Sequence, residues 1–182
     1  MWDNTNAPTK VNLSSDGILQ QNVILSALDG MMTISISNGT ELLDISGHPL
    51  TSISVTPIEP PAEPPEDYHI LKSFNFDPDG AEFDPGITVT ISFDPSDVAE
   101  GETLVLAFYN ETTDEWEFIS GTDNGDGTAT FFLTHFSAYS LMHDTVEDNS
   151  MGIWIWVLIG IGALLALLVV ILLIRLRQTA KA

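Results

Sequence analysis

Three stretches of the chain alternate apolar and polar residues with a period of two. Met32, Ile34 and Ile36 alternate with Thr33, Ser35 and Ser37. Ile53 and Val55 alternate with serine and threonine, and Ile87, Val89, Ile91 and Phe93 alternate with Thr88, Thr90 and Ser92. A strand points successive side chains to opposite faces, so each stretch predicts a strand with one buried and one wet face. Less regular runs at 22–27, 69–74, 103–109, 115–119, 128–133 and 135–142 predict further strands. Asp29-Gly30, Asn38-Gly39, Asp79-Gly80 and Asn124-Gly125-Asp126-Gly127 punctuate these runs. Such sequences favour tight turns because glycine adopts a left-handed backbone at little cost. No stretch before residue 150 carries a helical period. The pattern predicts an all-β fold, an antiparallel β-sandwich over residues 1–142. Five prolines within 57–67 predict an extended strap joining two halves of that sandwich.

The pattern changes after Ser150. Residues 151–174 are 24 consecutive uncharged residues without a polar stripe. A helix of that length spans ~36 Å, against ~30 Å of bilayer hydrocarbon. Lipid offers the backbone no hydrogen bonds, so a single transmembrane α-helix is expected, with the bilayer as its partner. Trp154 and Trp156 sit where indole rings favour the interface, and Arg175 and Arg177 close the other end. Gly162 and Ala166 are spaced for close helix contact, hence weak self-association.

Charge sets the expected orientation. Residues 1–150 hold all 26 acids and two bases, a net charge of −24, whereas the tail 175–182 holds three bases and no acid. Basic flanks stay in the cytoplasm, so the sandwich is expected outside a cell membrane, the short stalk 143–150 above it and the C-terminus inside. The start of the chain has no basic or apolar leader, so a larger surface protein is expected upstream. Nucleic acid is excluded as a partner, because phosphate neutralisation needs a basic surface. The absence of cysteine removes disulfides, thiolate metal sites and cysteine nucleophiles.

The run from Ile34 through Gly39-Thr40, Gly47-His48-Pro49-Leu50 and Ile53-Ser54-Val55 resembles a recurring module of archaeal and bacterial surface proteins. So do Phe76-Asp77-Pro78-Asp79-Gly80, Phe83-Asp84-Pro85, Phe93-Asp94-Pro95, Trp116 and the closing Thr134–Tyr139. More distantly, this layout is similar to the domain shared by zonula occludens proteins, netrin receptors and ankyrin. The resemblance covers roughly residues 11–142 and implies an extracellular sandwich beside a membrane anchor, with no known substrate. The closing His135-Phe136-Ser137 also resembles the tripeptide at which GPCR-autoproteolysis-inducing domains cut themselves. In that reading His135 takes the Ser137 proton and Ser137 attacks the Phe136 carbonyl, cutting between Phe136 and Ser137. The competing reading has Phe136 filling the core while His135 packs a sheet edge.

Other candidates are weaker. Asn75, Asp77 and Asp79 imitate the start of a calcium loop, as do Thr122, Asn124 and Asp126. Both lack the acidic twelfth ligand, since Gly86 and Leu133 stand there. The four histidines show no zinc spacing, so neither metal nor cofactor is expected. Glu100 and Glu102 read as solvated charges. Asn12, Asn38 and Asn110 open glycosylation tripeptides. The expected function is a non-catalytic structural or adhesive module, with cell-surface proteins as possible partners. The alternatives are a self-cleaving module and a ligand- or calcium-binding receptor domain.

Overall fold

The computed structural model describes residues 9–10, 12–27 and 30–145. The predicted membrane span, the basic tail, and Trp154, Trp156, Arg175 and Arg177 lie outside the described residues. No helix among the described residues is long and apolar enough to cross a membrane. Twelve strands follow one another there. The first six are β1 (Thr9–Lys10), β2 (Val23–Ser26), β3 (Met32–Ile36), β4 (Glu41–Leu43), β5 (Ser52–Pro57) and β6 (Tyr68–Asp77). The rest are β7 (Glu82–Ser92), β8 (Leu104–Asn110), β9 (Glu115–Ser120), β10 (Thr122–Asp123), β11 (Thr128–His135) and β12 (Ala138–Asp144). They form two sheets, one ordered β1-β5-β6-β12-β8-β9 and the other β10-β11-β7-β3-β2, with β4 also pairing β7. Every pairing is antiparallel.

The period of two is what builds the core. In the second sheet Leu25, Ile34, Val89 and Phe131 lie in one register row and are all buried. The first sheet supplies Val55, Phe76, Leu106, Tyr139 and Leu141 to the same cluster. Each fully buried aliphatic or aromatic side chain contributes roughly 1.5–3 kcal/mol through removal from water.

One bent ribbon links the sheets. β6 and β12 pair in the first sheet, while β7 and β11 pair in the second. The chain therefore crosses between sheets twice, side by side, from β6 to β7 and from β11 to β12. Backbone bonds tie the two crossings together: Phe136 N–H donates to Ala81 at 2.8 Å, Gly80 N–H to Phe136 at 3.0 Å, and Phe76 N–H to Ser137 at 3.1 Å. The expected strand 135–142 is thus corrected. His135 ends β11, Phe136 and Ser137 turn the corner, and β12 begins at Ala138.

The proline-rich segment leaves β5, returns to β6, and at its middle meets β9, where Trp116 Nε1 donates to the Glu63 carbonyl at 2.8 Å. Given the strand order, the strap crosses the outer face of β6, β12 and β8. That face carries small residues. Ser73, Ser140 and Ala107 sit in adjacent register, all buried, and the two serine hydroxyls bond at 2.7 Å. Tyr68 stacks on Phe118, ring centroids 4.7 Å apart, where the strap rejoins the sheet. Prolines suit this task because their fixed φ lowers the entropy lost on docking.

Two substitutions test this architecture. A Cβ on Gly86 would stand 2.5 Å from the Leu133 carbonyl oxygen, which is backbone and cannot yield cheaply. Gly86→Ala is expected to cost roughly 1–3 kcal/mol in denaturant unfolding. Trp116→Phe keeps a ring but removes the N–H, at a cost of about 1 kcal/mol. A glutamyl endoprotease is expected to cut this variant faster at Glu66, because Glu59 and Glu63 precede proline and resist it; an unchanged cutting rate would mean the indole bond does not hold the strap.

Candidate functional site

The candidate tripeptide occupies the second crossing. Phe136 is fully buried, its ring 4.7 Å from Phe83 on one sheet and 5.3 Å from Phe76 on the other. His135 packs edge-on to Phe108 at 4.8 Å. Its Nε2 lies 3.2 Å from the Tyr139 hydroxyl, which also donates to the His135 carbonyl at 3.0 Å. A tyrosine hydroxyl bonded to a carbonyl a few residues upstream is how sandwich folds pin a strand entry. Ser137 makes no hydrogen bond to His135 among the described residues, because residues 135 and 137 no longer share one strand. The geometry thus assigns His135 to Tyr139, and the Phe136 carbonyl to the Gly80 N–H.

Burial pushes the Tyr139 phenol well above the usual tyrosine range, helped by the charge of Asp79. Tyr109 is also raised, first through its hydrogen bond to Asp114, although its surroundings are exposed. An open groove of about 550 Å³ runs beside the corner, lined by Asn75, Asp79, Tyr109, Asn110, Glu111 and Ser137 among others. The first pseudo-calcium loop forms one wall, and there Asn75 Nδ2 donates to Asp77 at 2.9 Å, spending both groups on each other. The second is a turn, in which Asp123 accepts from Gly125 N–H at 2.8 Å and Asp126 from Thr128 N–H at 3.1 Å. Among the described residues, no group of three or more His, Asp or Glu is placed to hold a metal ion.

The remaining histidines are dispersed. His48 is exposed over Asp44, whose carboxyl is held below the usual range by the backbone N–H of His48 and then of Ser46. His143 lies in β12 and is buried, with Nδ1 2.8 Å from Glu102 Oε2. Glu102 also accepts from Ala99 N–H at 2.7 Å, and His69 stands 5.5 Å from the His143 ring. The expectation of a solvated Glu102 is therefore corrected: its side chain is 13% exposed and paired. The pair is invisible in sequence, because it joins residues 41 positions apart without a motif. Of the glycosylation tripeptides, Asn12 and Asn38 are exposed. Asn110 is occupied, donating to Glu117 at 2.7 Å and accepting from Thr112 N–H at 3.0 Å.

No family model matches the chain. Over 67 residues it is 36% identical to an amylopullulanase of Thermoanaerobacterium thermosulfurigenes. That stretch is 34% of this chain and only 4% of the amylopullulanase, so it shows a shared segment and not a shared protein.

The corner yields a pH prediction with a defined sign. A phenol raised in the folded state stabilises fully below the unfolded pKa of ~10 and loses that contribution as pH rises through its folded value. Tyr139 is expected to ionise only with unfolding, so a difference-absorbance titration should show one of the three tyrosines silent until the fold melts. Tyr139→Phe should remove that silent component and cost about 1 kcal/mol at neutral pH.

Proposed function

We propose that this chain is a membrane-anchored, non-catalytic surface module: a β-sandwich followed by one transmembrane helix over 151–174, with the sandwich outside and the basic tail inside. The observation that carries this reading is the 24-residue uncharged run that begins seven residues after β12 ends and is closed by Arg175 and Arg177. The acidic body suits the outer side, because anionic lipid on the cytoplasmic leaflet repels it. The role is structural or adhesive. The corner supports this assignment, since it spends His135, Phe136 and the Tyr139 hydroxyl on holding the two sheets together. The match covers only 4% of an amylopullulanase, too little to carry that enzyme's activity over to this chain. The self-cleaving alternative requires His135 to take the Ser137 proton, whereas His135 is bonded to Tyr139 in the corner.

Two measurements test the reading. In intact cells, external protease should degrade the sandwich while an epitope placed after Lys181 survives; survival of the sandwich with loss of the epitope would invert the orientation. On denaturing gels the wild-type chain should run as one intact band with the mobility of Ser137→Ala. A wild-type fragment ending at Phe136 would instead establish self-cleavage.

A further inference from the structure

Two histidines meet across the first sheet where β6 begins and β12 ends. His69 and His143 are direct register partners on neighbouring antiparallel strands, and their ring centroids stand 5.5 Å apart. The two rings differ in setting. His143 is buried, and its Nδ1 lies 2.8 Å from Glu102 Oε2 and 3.1 Å from the Asp144 carbonyl oxygen. Both neighbours are acceptors, since Glu102 Oε2 also receives the Ala99 N–H at 2.7 Å. The proton of the neutral imidazole therefore sits on Nδ1, and the lone pair is left on Nε2. Nε2 has no hydrogen-bond partner among the described residues. Neither is it sealed off, because Thr40 Oγ1 is the one fully buried polar side-chain atom without a partner among those residues. Nε2 of His143 thus reaches solvent. His69 is exposed, and its ring nitrogens make no hydrogen bond among the described residues.

We propose that His69 and His143 are two ligands of a zinc ion, bound through Nε2 of His143 and a ring nitrogen of His69, with solvent completing the coordination shell. The ring spacing fits. A Zn–N bond of about 2.0–2.1 Å puts each ring centre about 3.2 Å from the ion, so a tetrahedral angle separates two centres by about 5.2 Å. The observed separation is 5.5 Å. The tautomer fits as well. A zinc-bound imidazole typically donates its other N–H to a carboxylate, which orients the ring and makes the bound nitrogen more basic. His143 already makes that bond to Glu102, so Glu102 is a positioning residue that acts through His143. Ligand chemistry selects the ion. Calcium and magnesium prefer oxygen donors, whereas zinc accepts imidazole readily. Two protein nitrogens give an open site, weaker than the three- and four-ligand sites of zinc enzymes and zinc fingers. This agrees with the absence, among the described residues, of any group of three ligands placed on one ion. The bound ion would tie β6 to β12 at the end from which the chain continues toward residue 145.

The experiment titrates zinc chloride into the untagged full chain in neutral detergent, followed by calorimetry. Excess magnesium is present to occupy the many carboxylates, which it prefers to imidazole. The wild-type chain should bind one zinc per chain. Its melting temperature, read by circular dichroism, should rise with zinc, because the site exists only in the folded state. His69→Ala should lower the affinity roughly tenfold or more and remove that rise. His69 is exposed, so the variant should keep its fold, which circular dichroism without zinc confirms. Glu102→Gln keeps an acceptor for His143 but removes the charge, and should weaken zinc by about tenfold or more. His48→Ala, on a different part of the fold, should bind as the wild type does. Absence of saturable zinc binding under magnesium overturns the inference. So does an affinity unchanged in His69→Ala, which would place the ion on other side chains. Full affinity in Glu102→Gln would overturn the positioning role of Glu102. None of these results depends on whether residues 151–174 cross a membrane, so failure here leaves the proposed function standing.

Discussion

The double crossing at Phe136 is the constraint on which the sandwich rests. β6–β7 and β11–β12 are two halves of one ribbon that bends from sheet to sheet, and three backbone bonds lace the bends together. The Phe136 ring then fills the space between Phe76 and Phe83, one from each sheet. A buried corner must satisfy its own backbone groups, because no water reaches them. Here the partner crossing supplies them, which is why Ala81, Gly80 and Phe76 all bond into residues 136–137. Breaking the corner would therefore separate the sheets and expose several buried polar groups at once.

The same constraint explains the chemistry of the tripeptide. A histidine and a serine two positions apart suggest a shared face only if the strand is continuous. The bend interrupts the strand between them, and His135 bonds to Tyr139. The corner engages two of the three motif residues in structural bonds, His135 with Tyr139 and Phe136 with Gly80 and Ala81.

Most of the strands were legible because half-buried strands leave a period-two signature, as in 32–36 and 87–92. The glycine turns were legible as well: Gly39, Gly80, Gly125 and Gly127 all have positive φ. The corner was not, because Thr134 to Met142 contains neither glycine nor proline and its bend is imposed by the buried ring of Phe136. β4 and β10 escaped because three- and two-residue strands carry no period. The first half of β7 was hidden by Asp84-Pro85-Gly86, which reads as a turn yet continues the strand beside β4. Composition announced an extended proline segment, but its path over β12 and β8 depends on Trp116, more than 50 residues away. The Glu102–His143 pair and its neighbour His69 likewise emerge only when register brings distant residues together.

The position of β12 has a mechanical consequence. The strand lies between β6 and β8, with seven of its residues in register with one and five with the other. Its far end is fastened by His143 to Glu102 and by Asp144 to Thr103. Tension entering along the strand from residue 145 loads both ladders in shear, so their bonds resist together instead of opening one after another. A pull from that end would thus meet a strand that is paired on both sides.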